Sequence, residues 1–317
     1  MRAPEEKYMR RALELARHGE LDASPNPMVG AVIVDPDGRI IGEGWHRRCG
    51  EGHAEVNAVN SVSDKALLHN CTMYVTLEPC AHYGKTPPCA KLLIDMGIPR
   101  VVIGTADPFA KVNGRGIAML REAGADVTVG MLEQECMELN RKFFTAHTFH
   151  RPYITLKWAE DARGCIDGTI STPLTRVAVH RLRATHDAIL VGSGTWIDDR
   201  PSLNTRDYAG RSPRRVVLDR RGRLTHLPDD VIRLSGYSSL KEAMERLYSD
   251  YSITSVLVEG GQQVLRSFLN EGLYDDIRIE RGDRELPDGC LKSPALPRGV
   301  LIDSTTTIDN HTIYHLS

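Results

Sequence analysis

The sequence predicts an α/β protein with two domains. Strand-like and helix-like segments alternate along all 317 residues, an order typical of helices packed on a mostly parallel sheet. A chain of this length is expected to form about two domains, at roughly 150 residues each. The alternation also restarts after Arg151-Pro152, a pair that favours extended backbone. We therefore place a first domain at residues 1–147 and a second at residues 148–317.

The first half begins with an amphipathic helix, because residues 5–18 place their apolar side chains on one helical face. Two apolar segments, 29–35 and 39–45, flank a turn at Pro36-Asp37-Gly38, which is typical of a β-hairpin. The rest of this half predicts helices at 53–62, 88–97, 114–123 and 131–144, and strands at 72–77, 101–105 and 125–130.

The second half contains an apolar strand at 255–261 that ends in Gly260-Gly261 and leads into a helix at 262–272. Glycines at such a junction let a phosphate approach the backbone N–H groups of the helix N-terminus. The pattern is not G-x-G-x-x-G, so it does not by itself predict a dinucleotide-binding fold. The other predicted elements are strands at 153–159, 188–194, 214–219 and 275–280, and helices at 173–184 and 239–248.

Composition excludes several classes of protein. Hydrophobic residues make up 41% and charged residues 26% of the chain, which is ordinary for a globular protein. The net charge of −2 gives no electrostatic reason to expect nucleic acid or an anionic membrane as partner. No apolar run approaches the ~20 residues that span a bilayer, and the N-terminus lacks an apolar signal core. We expect a cytoplasmic protein.

The seven cysteines are scattered and odd in number, which argues against a disulfide framework. We expect them to be metal ligands or buried thiols. Three residues have the types and order of a catalytic zinc site: His53, Cys80 and Cys89. One histidine and two cysteines would leave a fourth zinc position open for water, and zinc lowers the pKa of that water to about 7.

Glu55 lies two residues after His53, on the helix that His53 is expected to open. A carboxylate there can take a proton from the water and return it to a leaving amine. His-x-Glu followed by Pro-Cys is the signature of zinc deaminases, although their second pair is usually C-x-x-C. Here the segment 81–88 separates the two cysteines, and its polar, cationic composition favours an anion such as phosphate.

Four segments of the first half closely resemble the family of bifunctional riboflavin-biosynthesis deaminase–reductases, called RibD. They are PNPMVG (25–30), GWH (44–46), HAE (53–55) and TLEPCAHYGKTPPC (76–89). The resemblance implies a cytidine-deaminase-like α/β/α sandwich. It also implies zinc-dependent deamination of 2,5-diamino-6-ribosylamino-4(3H)-pyrimidinone 5′-phosphate, with zinc on His53, Cys80 and Cys89 and proton transfer by Glu55. The implied substrate contacts are Asn26, His46, His82, Lys85 and Thr86.

Segments of the second half, YITLK (153–157), Leu182-Arg183 and VEGG (258–261), occur in the order of the family's reductase domain. That domain resembles dihydrofolate reductase, and the resemblance implies that NADPH reduces the ribosyl group of 5-amino-6-(5-phosphoribosylamino)uracil to ribityl. A pyrimidine ribotide substrate and a homo-oligomer are implied as partners. The implied substrate contacts are Arg183, Leu203, Arg206 and Glu259, and the implied NADPH contacts are Ala159, Thr195, Asp199, Gly261, Gln262, Gln263, Val264, Leu265, Arg266 and Ser267.

Several questions stay open at this point. Residues 160–172 and the chain beyond Ile279 depart from the family's usual pattern, so an active deaminase with a degenerate reductase domain is an alternative. A nucleic-acid base deaminase and a protein whose zinc serves only the fold are further alternatives. Lys157 and Glu259 are candidates for proton management in the reduction. Arg220 and Arg221 can read the 2′-phosphate of NADPH or can form a solvated turn.

Overall fold

The computed structural model describes residues 4–83, 87–107, 114–286 and 290–317. The chain divides into two compact units, Met1–Phe149 and His150–Ser317. Each unit contains one of the two sheets, so each half of the sequence builds its own core.

The first unit has a five-stranded sheet in the order β2-β1-β3-β4-β5. The first two strands form the expected antiparallel hairpin, and the last three run parallel. The strands are β1 (Gly30–Val34), β2 (Ile40–Trp45), β3 (Thr72–Leu77), β4 (Arg100–Thr105) and β5 (Asp126–Val129). The helices are α1 (Glu6–Arg17), α2 (Ala54–Ser61), α3 (Cys89–Asp95), α4 (Arg115–Glu122), α5 (Glu133–Leu139) and α6 (Arg141–Phe149), and a 3₁₀ helix spans Lys65–Asn70.

Both faces of this sheet are covered, which explains why β1 is apolar at every position. Ala31 and Ile33 belong to the core shared with α2, α3 and α4. Val32 and Val34 point to the opposite face, where they pack with α1 and α5. A Cβ atom on Gly30 would overlap the carbonyl oxygen of Ala12, so glycine is needed where α1 crosses β1. The result is the α/β/α sandwich that the resemblance implied.

The prediction of a single helix at 131–144 was wrong, because the chain forms two helices, α5 and α6, with a break at Asn140. Asn140 has φ −110° and ψ 21°, outside the helical region. Its side chain accepts a hydrogen bond from the backbone N–H of Met28 and donates one to the Met28 carbonyl, both at 2.8 Å. The helical pattern of residues 131–144 contains no trace of this contact, because Met28 lies 112 residues away.

The second unit has an eight-stranded sheet in the order β12-β13-β11-β6-β10-β7-β8-β9. Neighbours from β11 to β9 are parallel, whereas β13 pairs antiparallel with β11 and β12. The strands are β6 (Tyr153–Glu160), β7 (Ala188–Gly192), β8 (Arg214–Leu218), β9 (Val231–Leu234), β10 (Ser255–Val258), β11 (Asp276–Arg281), β12 (Ile302–Ile308) and β13 (His311–Leu316). The helices are α7 (Pro173–Ala184), α8 (Ser193–Asp199), α9 (Leu240–Tyr251) and α10 (Gln262–Asn270).

Four of these elements were not predicted: α8, β9, β12 and β13. The first two have only seven and four residues, too few to show a clear period. β12 is an exposed edge strand rich in threonine, so it lacks the apolar residues that mark a strand. The parallel strands β6, β10, β7 and β8 end at the same edge of the sheet, where a crevice for ligands is expected.

One disulfide bond joins Cys165 to Cys290. The expectation that the cysteines would be metal ligands or buried thiols was therefore wrong for this pair. The two residues are 125 positions apart, and a β-bridge between Cys165 and Lys292 brings their segments together. Among the described residues, no helix has the length and apolar character needed to cross a membrane.

Candidate functional site

Three metal-ligating side chains meet at the ends of two helices in the first unit. His53 immediately precedes α2, Cys89 is the first residue of α3, and Cys80 lies in the loop after β3. The Nδ1 atom of His53 lies 3.6 Å from the sulfur of Cys80 and 3.4 Å from that of Cys89. Tetrahedral zinc with ordinary bond lengths would separate a nitrogen and a sulfur ligand by about 3.6 Å. The donor set and its spacing therefore fit zinc.

Glu55 occupies the first turn of α2, where it is 3% exposed. Burial raises the pKa of Glu55 to about 7, although the nearby His53 acts in the opposite direction. A carboxyl group with a pKa near neutrality is suited to accept and release a proton at physiological pH. The structure thus places a buried carboxyl group with a near-neutral pKa beside the three candidate metal ligands.

A second buried carboxylate, Glu78, holds the loop that carries Cys80. Its Oε2 accepts hydrogen bonds from the backbone N–H groups of Asp107 (3.2 Å) and Gly114 (3.0 Å). Its Oε1 accepts from those of Gly116 (2.9 Å) and Ile117 (3.3 Å) in the first turn of α4. Sequence reasoning gave Glu78 no role, although it lies inside the T-L-E-P-C motif that carried the resemblance.

The structure brings Asn26 and His46 to the metal ligands. The ring of His46 lies 5.4 Å from the ring of His53. His46 Nδ1 lies 3.2 Å from the carbonyl oxygen of Gly52, which can only accept, so Nδ1 carries the proton. His46 Nε2 then accepts from the side-chain amide of Asn26 at 3.1 Å. Burial also lowers the pKa of His46, which favours this neutral form.

The structure describes only one of the other three residues that the resemblance implied as substrate contacts in the first unit. His82 is described and exposed. Lys85 and Thr86 lie outside the described residues.

The second unit contains a cavity of about 380 Å³ at the carboxyl ends of β6 and β10 and beside α7 and α8. Its lining includes eight of the residues implied by the resemblance. They are Ala159, Arg183, Thr195, Asp199, Arg206, Glu259, Gly261 and Leu265.

The remaining implied residues of this unit lie elsewhere. Leu203 is buried in an apolar cluster with Ile189 and Val217. The others lie on α10, whose residues point in different directions because a helical turn has about 3.6 residues. They are Gln262, Gln263, Val264, Arg266 and Ser267.

Two charged side chains pair inside the cavity. Arg183 binds Glu259 through two hydrogen bonds of 3.0 and 2.7 Å, and its Nη1 donates to the carbonyl oxygen of Asn204. Lys157 also lines the cavity, and burial lowers its pKa. Burial by itself would raise the pKa of Glu259. The hydrogen bonds and charge of Arg183 and the charge of Lys157 have the larger combined effect and lower that pKa. Glu259 therefore stays ionised next to a lysine that loses its proton more easily than usual.

His180 is a cavity residue that sequence reasoning missed. It is 2% exposed, and its Nδ1 accepts the backbone N–H of Asp207 at 2.9 Å. Burial lowers the pKa of His180, so the neutral ring carries its proton on Nε2. Its place three residues before Arg183 on α7 is the one signal that could have identified it, because residues three apart share a helical face.

The end of β10 is shaped for a close approach of backbone to ligand. A Cβ atom on Gly260 would lie 3.1 Å from the backbone nitrogen of Gly192, and one on Gly261 would lie 2.9 Å from Oγ1 of Thr195. Gly261 is the N-cap of α10, and its N–H donates to Thr195 Oγ1 at 3.1 Å. Two glycines before a helix N-terminus let the backbone approach a ligand closely, which fits the pyrophosphate of a dinucleotide.

Comparison with known protein families agrees with this division of chemistry. Residues 2–105 match the cytidine and deoxycytidylate deaminase zinc-binding region. Residues 158–280 match the RibD C-terminal domain.

Whole-chain relatives also match. The riboflavin biosynthesis protein RibD of Aquifex aeolicus is 38% identical over 88% of this chain and 87% of its own length. The Escherichia coli protein is 36% identical over 87% and 86%. A solved Thermotoga maritima deaminase/reductase has a TM-score of 0.87 at 36% identity, covering 98% of this chain and 97% of the other. Acinetobacter baumannii RibD has a TM-score of 0.87 at 31% identity, covering 98% of both chains. The chain therefore belongs to the RibD family of riboflavin biosynthesis proteins.

Proposed function

We propose that this chain catalyses two reactions of riboflavin biosynthesis, a hydrolytic deamination in residues 1–147 and an NADPH-dependent reduction in residues 148–317. The deamination converts 2,5-diamino-6-ribosylamino-4(3H)-pyrimidinone 5′-phosphate into 5-amino-6-(5-phosphoribosylamino)uracil. The reduction turns the ribosyl group of that product into a ribityl chain. The observation that carries the proposal is the zinc-like spacing of His53, Cys80 and Cys89 beside the buried carboxyl group of Glu55.

In the deamination, His53, Cys80 and Cys89 would hold zinc, which activates water when it is bound. Glu55 takes a proton from the water and delivers it to the departing amine, so that water and amine become a carbonyl and ammonia. Asn26 and His46 form a fixed hydrogen-bonded pair that orients the Asn26 carboxamide toward the substrate. We assign phosphate binding to Lys85 and Thr86 on the resemblance alone.

In the reduction, NADPH supplies a hydride when it is bound, and the protein orients the two reactants. Arg206 lines the cavity and provides positive charge for the substrate phosphate. Glu259 holds the Arg183 guanidinium in place, so that its remaining N–H groups can donate to the substrate ribose. Lys157 supplies the proton that accompanies the hydride, because burial lowers its pKa and brings release of that proton closer to neutral pH. The N-terminus of α10 binds the pyrophosphate, and Gly261 lets the ligand come close to it.

The first experiment tests the deaminase. Zinc-loaded protein is given the diamino substrate and ammonia release is measured, with Glu55→Ala as the test variant. Glu122→Ala is the control, because Glu122 is an exposed acid at the end of α4. We expect Glu55→Ala to keep its zinc and lose activity while the control retains both. Ammonia release by Glu55→Ala at the wild-type rate would refute the role of Glu55.

The second experiment tests the reductase separately. The deaminated product and NADPH are added together, loss of NADPH absorbance is followed, and the product is identified by mass. Formation of the ribityl product supports the bifunctional enzyme. Ammonia release without NADPH consumption would instead support a deaminase with a degenerate second domain.

The oligomer and the absence of a nucleic-acid partner are also part of the proposal. Support comes from the family resemblance and from the net charge of −2, which offers no broad attraction to phosphate backbones. Light scattering after size exclusion tests the homo-oligomer. Gel-shift experiments with labelled single-stranded DNA and RNA test the absence of a nucleic-acid partner. We expect the labelled strands to migrate as they do without protein.

A further inference from the structure

Strand β11 contains two charged side chains that are buried. Its apolar residues Ile277 and Ile279 point to one face of the sheet, where they join the main core of the second unit. Arg278 and Glu280 alternate with them and therefore point to the other face, where Arg278 is 8% and Glu280 0% exposed. Charged residues are almost never buried so completely unless they are paired. The partners of these two residues therefore show what they do.

Both residues are neighbours of Lys157, which lines the cavity of the second unit from β6. The parallel pairing of β6 and β11 places Arg278 directly beside Lys157 and Glu280 beside Ala159, two residues farther along. Lys157 and Ala159 point to the same face, because side chains alternate along a strand. A like charge therefore lies directly opposite Lys157, which is unfavourable. The carboxylate at the diagonal position acts on Lys157 with the opposite sign.

Two hydrogen bonds hold the carboxylate of Glu280 in place. The Nδ1–H of His311, at the start of β13, donates to Oε1 at 2.8 Å, since a carboxylate oxygen can only accept. The hydroxyl group of Ser171, a residue of the cavity wall, donates to Oε2 at 2.8 Å. Burial by itself would raise the pKa of Glu280. The hydrogen bonds and the charge of Lys157 have the larger combined effect and lower that pKa, so Glu280 is ionised at neutral pH.

Several charged groups surround Lys157, and they act on it with both signs. Burial is the largest cause that lowers the pKa of Lys157, and the charges of Arg183 and Arg278 lower it further, whereas Glu259 and Glu280 raise it. Glu259 is already bound to the Arg183 guanidinium through two hydrogen bonds. Glu280 is bound by a hydroxyl group and an imidazole ring instead, so its charge stays available to Lys157 and Arg278. The charged and titratable groups of this region are His180 and Arg183 on α7, Glu259 after β10, Arg278 and Glu280 on β11, His311 and His315 on β13, and the other cavity residues Arg176, Asp199 and Arg206.

We propose that Glu280 is a positioning residue for the reduction, because its carboxylate offsets the charge of Arg278 and keeps Lys157 protonated until the hydride is transferred. The hydride forms a C–H bond at the ribosyl carbon, and the bond from that carbon to the ring oxygen breaks. A proton from the Lys157 ammonium group then completes the new hydroxyl group, which a neutral Lys157 cannot do. The inference rests on the proposed reductase function, because it assumes that Lys157 supplies this proton.

Two measurements on the full chain test this inference. Competitive labelling with acetic anhydride over a range of pH measures the pKa of Lys157 without turnover, because the peptide 152–163 contains no other lysine. The pH profile of kcat/KM for NADPH consumption repeats the measurement in the working enzyme. Glu280→Gln removes the charge, Glu280→Asp keeps it, and Arg278→Met removes the opposing charge. Glu160→Gln is the matched control, since Glu160 is 2% exposed but points to the opposite face of β6.

We expect Glu280→Gln to lower the pKa of Lys157 by about 1 to 2 in both assays, so that activity is lost at lower pH. Arg278→Met should raise the pKa of Lys157, whereas Glu280→Asp and Glu160→Gln should leave it within about 0.5 of the wild-type value. A merely structural role for Glu280 would lower activity at every pH and leave the pKa of Lys157 unchanged, and that result would overturn the inference. Changes of the same sign in Glu280→Gln and Arg278→Met, or an equal change in Glu160→Gln, would overturn it too. If labelling gives the expected changes but wild type consumes no NADPH, the proposed reductase function fails while the effect of Glu280 on Lys157 stands.

Discussion

Replacement of Glu78 by glutamine removes one acceptor from a carboxylate that serves four backbone N–H groups. Whichever way the new amide is oriented, its NH₂ group faces two of those donors: either Asp107 and Gly114, or Gly116 and Ile117. Each buried donor left without an acceptor costs about 1–3 kcal/mol. One bond of each pair is long, at 3.2 and 3.3 Å, and contributes less. We therefore expect Glu78→Gln to lower the free energy of unfolding of the first unit by about 2–4 kcal/mol.

The same change should weaken zinc binding, because Glu78 lies two residues before Cys80 and fixes the loop between them against α4. Hydrogen exchange followed by mass spectrometry is the most direct assay, since the amides of Gly114, Gly116 and Ile117 are the donors themselves. We expect faster exchange in peptides covering α4 and no change in peptides of the second unit. Competition with a chelator then measures the loss of zinc affinity.

Glu122→Gln is the matched control, since it removes a carboxylate from the exposed end of the same helix. It should leave both exchange and zinc affinity unchanged. If Glu78→Gln changes the free energy of unfolding by less than about 0.5 kcal/mol, the size of an ordinary surface substitution, and α4 exchanges at the wild-type rate, then Glu78 does not hold the loop and the reasoning is refuted.

Three further predictions concern other buried polar groups. Asn140→Ala should destabilise the first unit by about 2–4 kcal/mol, because it leaves the N–H and carbonyl of Met28 without partners; urea unfolding that matches wild type would contradict this. Glu259→Gln should raise KM for the deaminated substrate in NADPH-consumption assays, because Arg183 loses its bidentate partner; an unchanged KM would refute this positioning role. Burial alone would raise the pKa of Asp219, but N–H bonds from Leu224 and Arg223 and the charge of Arg233 lower it. Its stabilising effect is therefore present above about pH 4, the ordinary Asp pKa, and is lost as pH falls below that value. Acid titrations followed by circular dichroism should show a weaker pH dependence for Asp219→Asn, and identical curves would disprove the link.

The parts of the fold that the sequence predicted correctly are those with a local signal. The hairpin of β1 and β2 and the buried strand β10 show apolar residues at the expected spacing, and their flanking turns contain glycine. The break at Asn140 and the edge strand β12 lacked such a signal. Asn140 leaves the helix because of a contact with Met28, and β12 is polar because it faces solvent.

The candidate site divides in the same way. His53, Cys80 and Cys89 were predicted together because zinc chemistry restricts which residue types can occur in that order, and the structure places their ligand atoms within 4.8 Å of one another. Glu78 and His180 were missed, because each bonds to backbone groups at least 27 residues away. A backbone partner can be any residue type, so such a contact leaves no mark on the sequence of the partner.

A common device supports the chemistry in both units. Glu78, Asp219 and Glu259 each follow directly after a parallel strand, β3, β8 or β10, and each is buried or nearly so. The end of a strand fixes where the following loop begins but not the path that the loop takes. In these three cases, the first carboxylate after the strand holds part of that path or a side chain beside it. Glu78 and Asp219 bind backbone N–H groups of the loop or helix that follows, whereas Glu259 binds the guanidinium of Arg183. Because each acid stands at the end of a strand, substitution of any one should disturb the segment that it holds more than the sheet behind it.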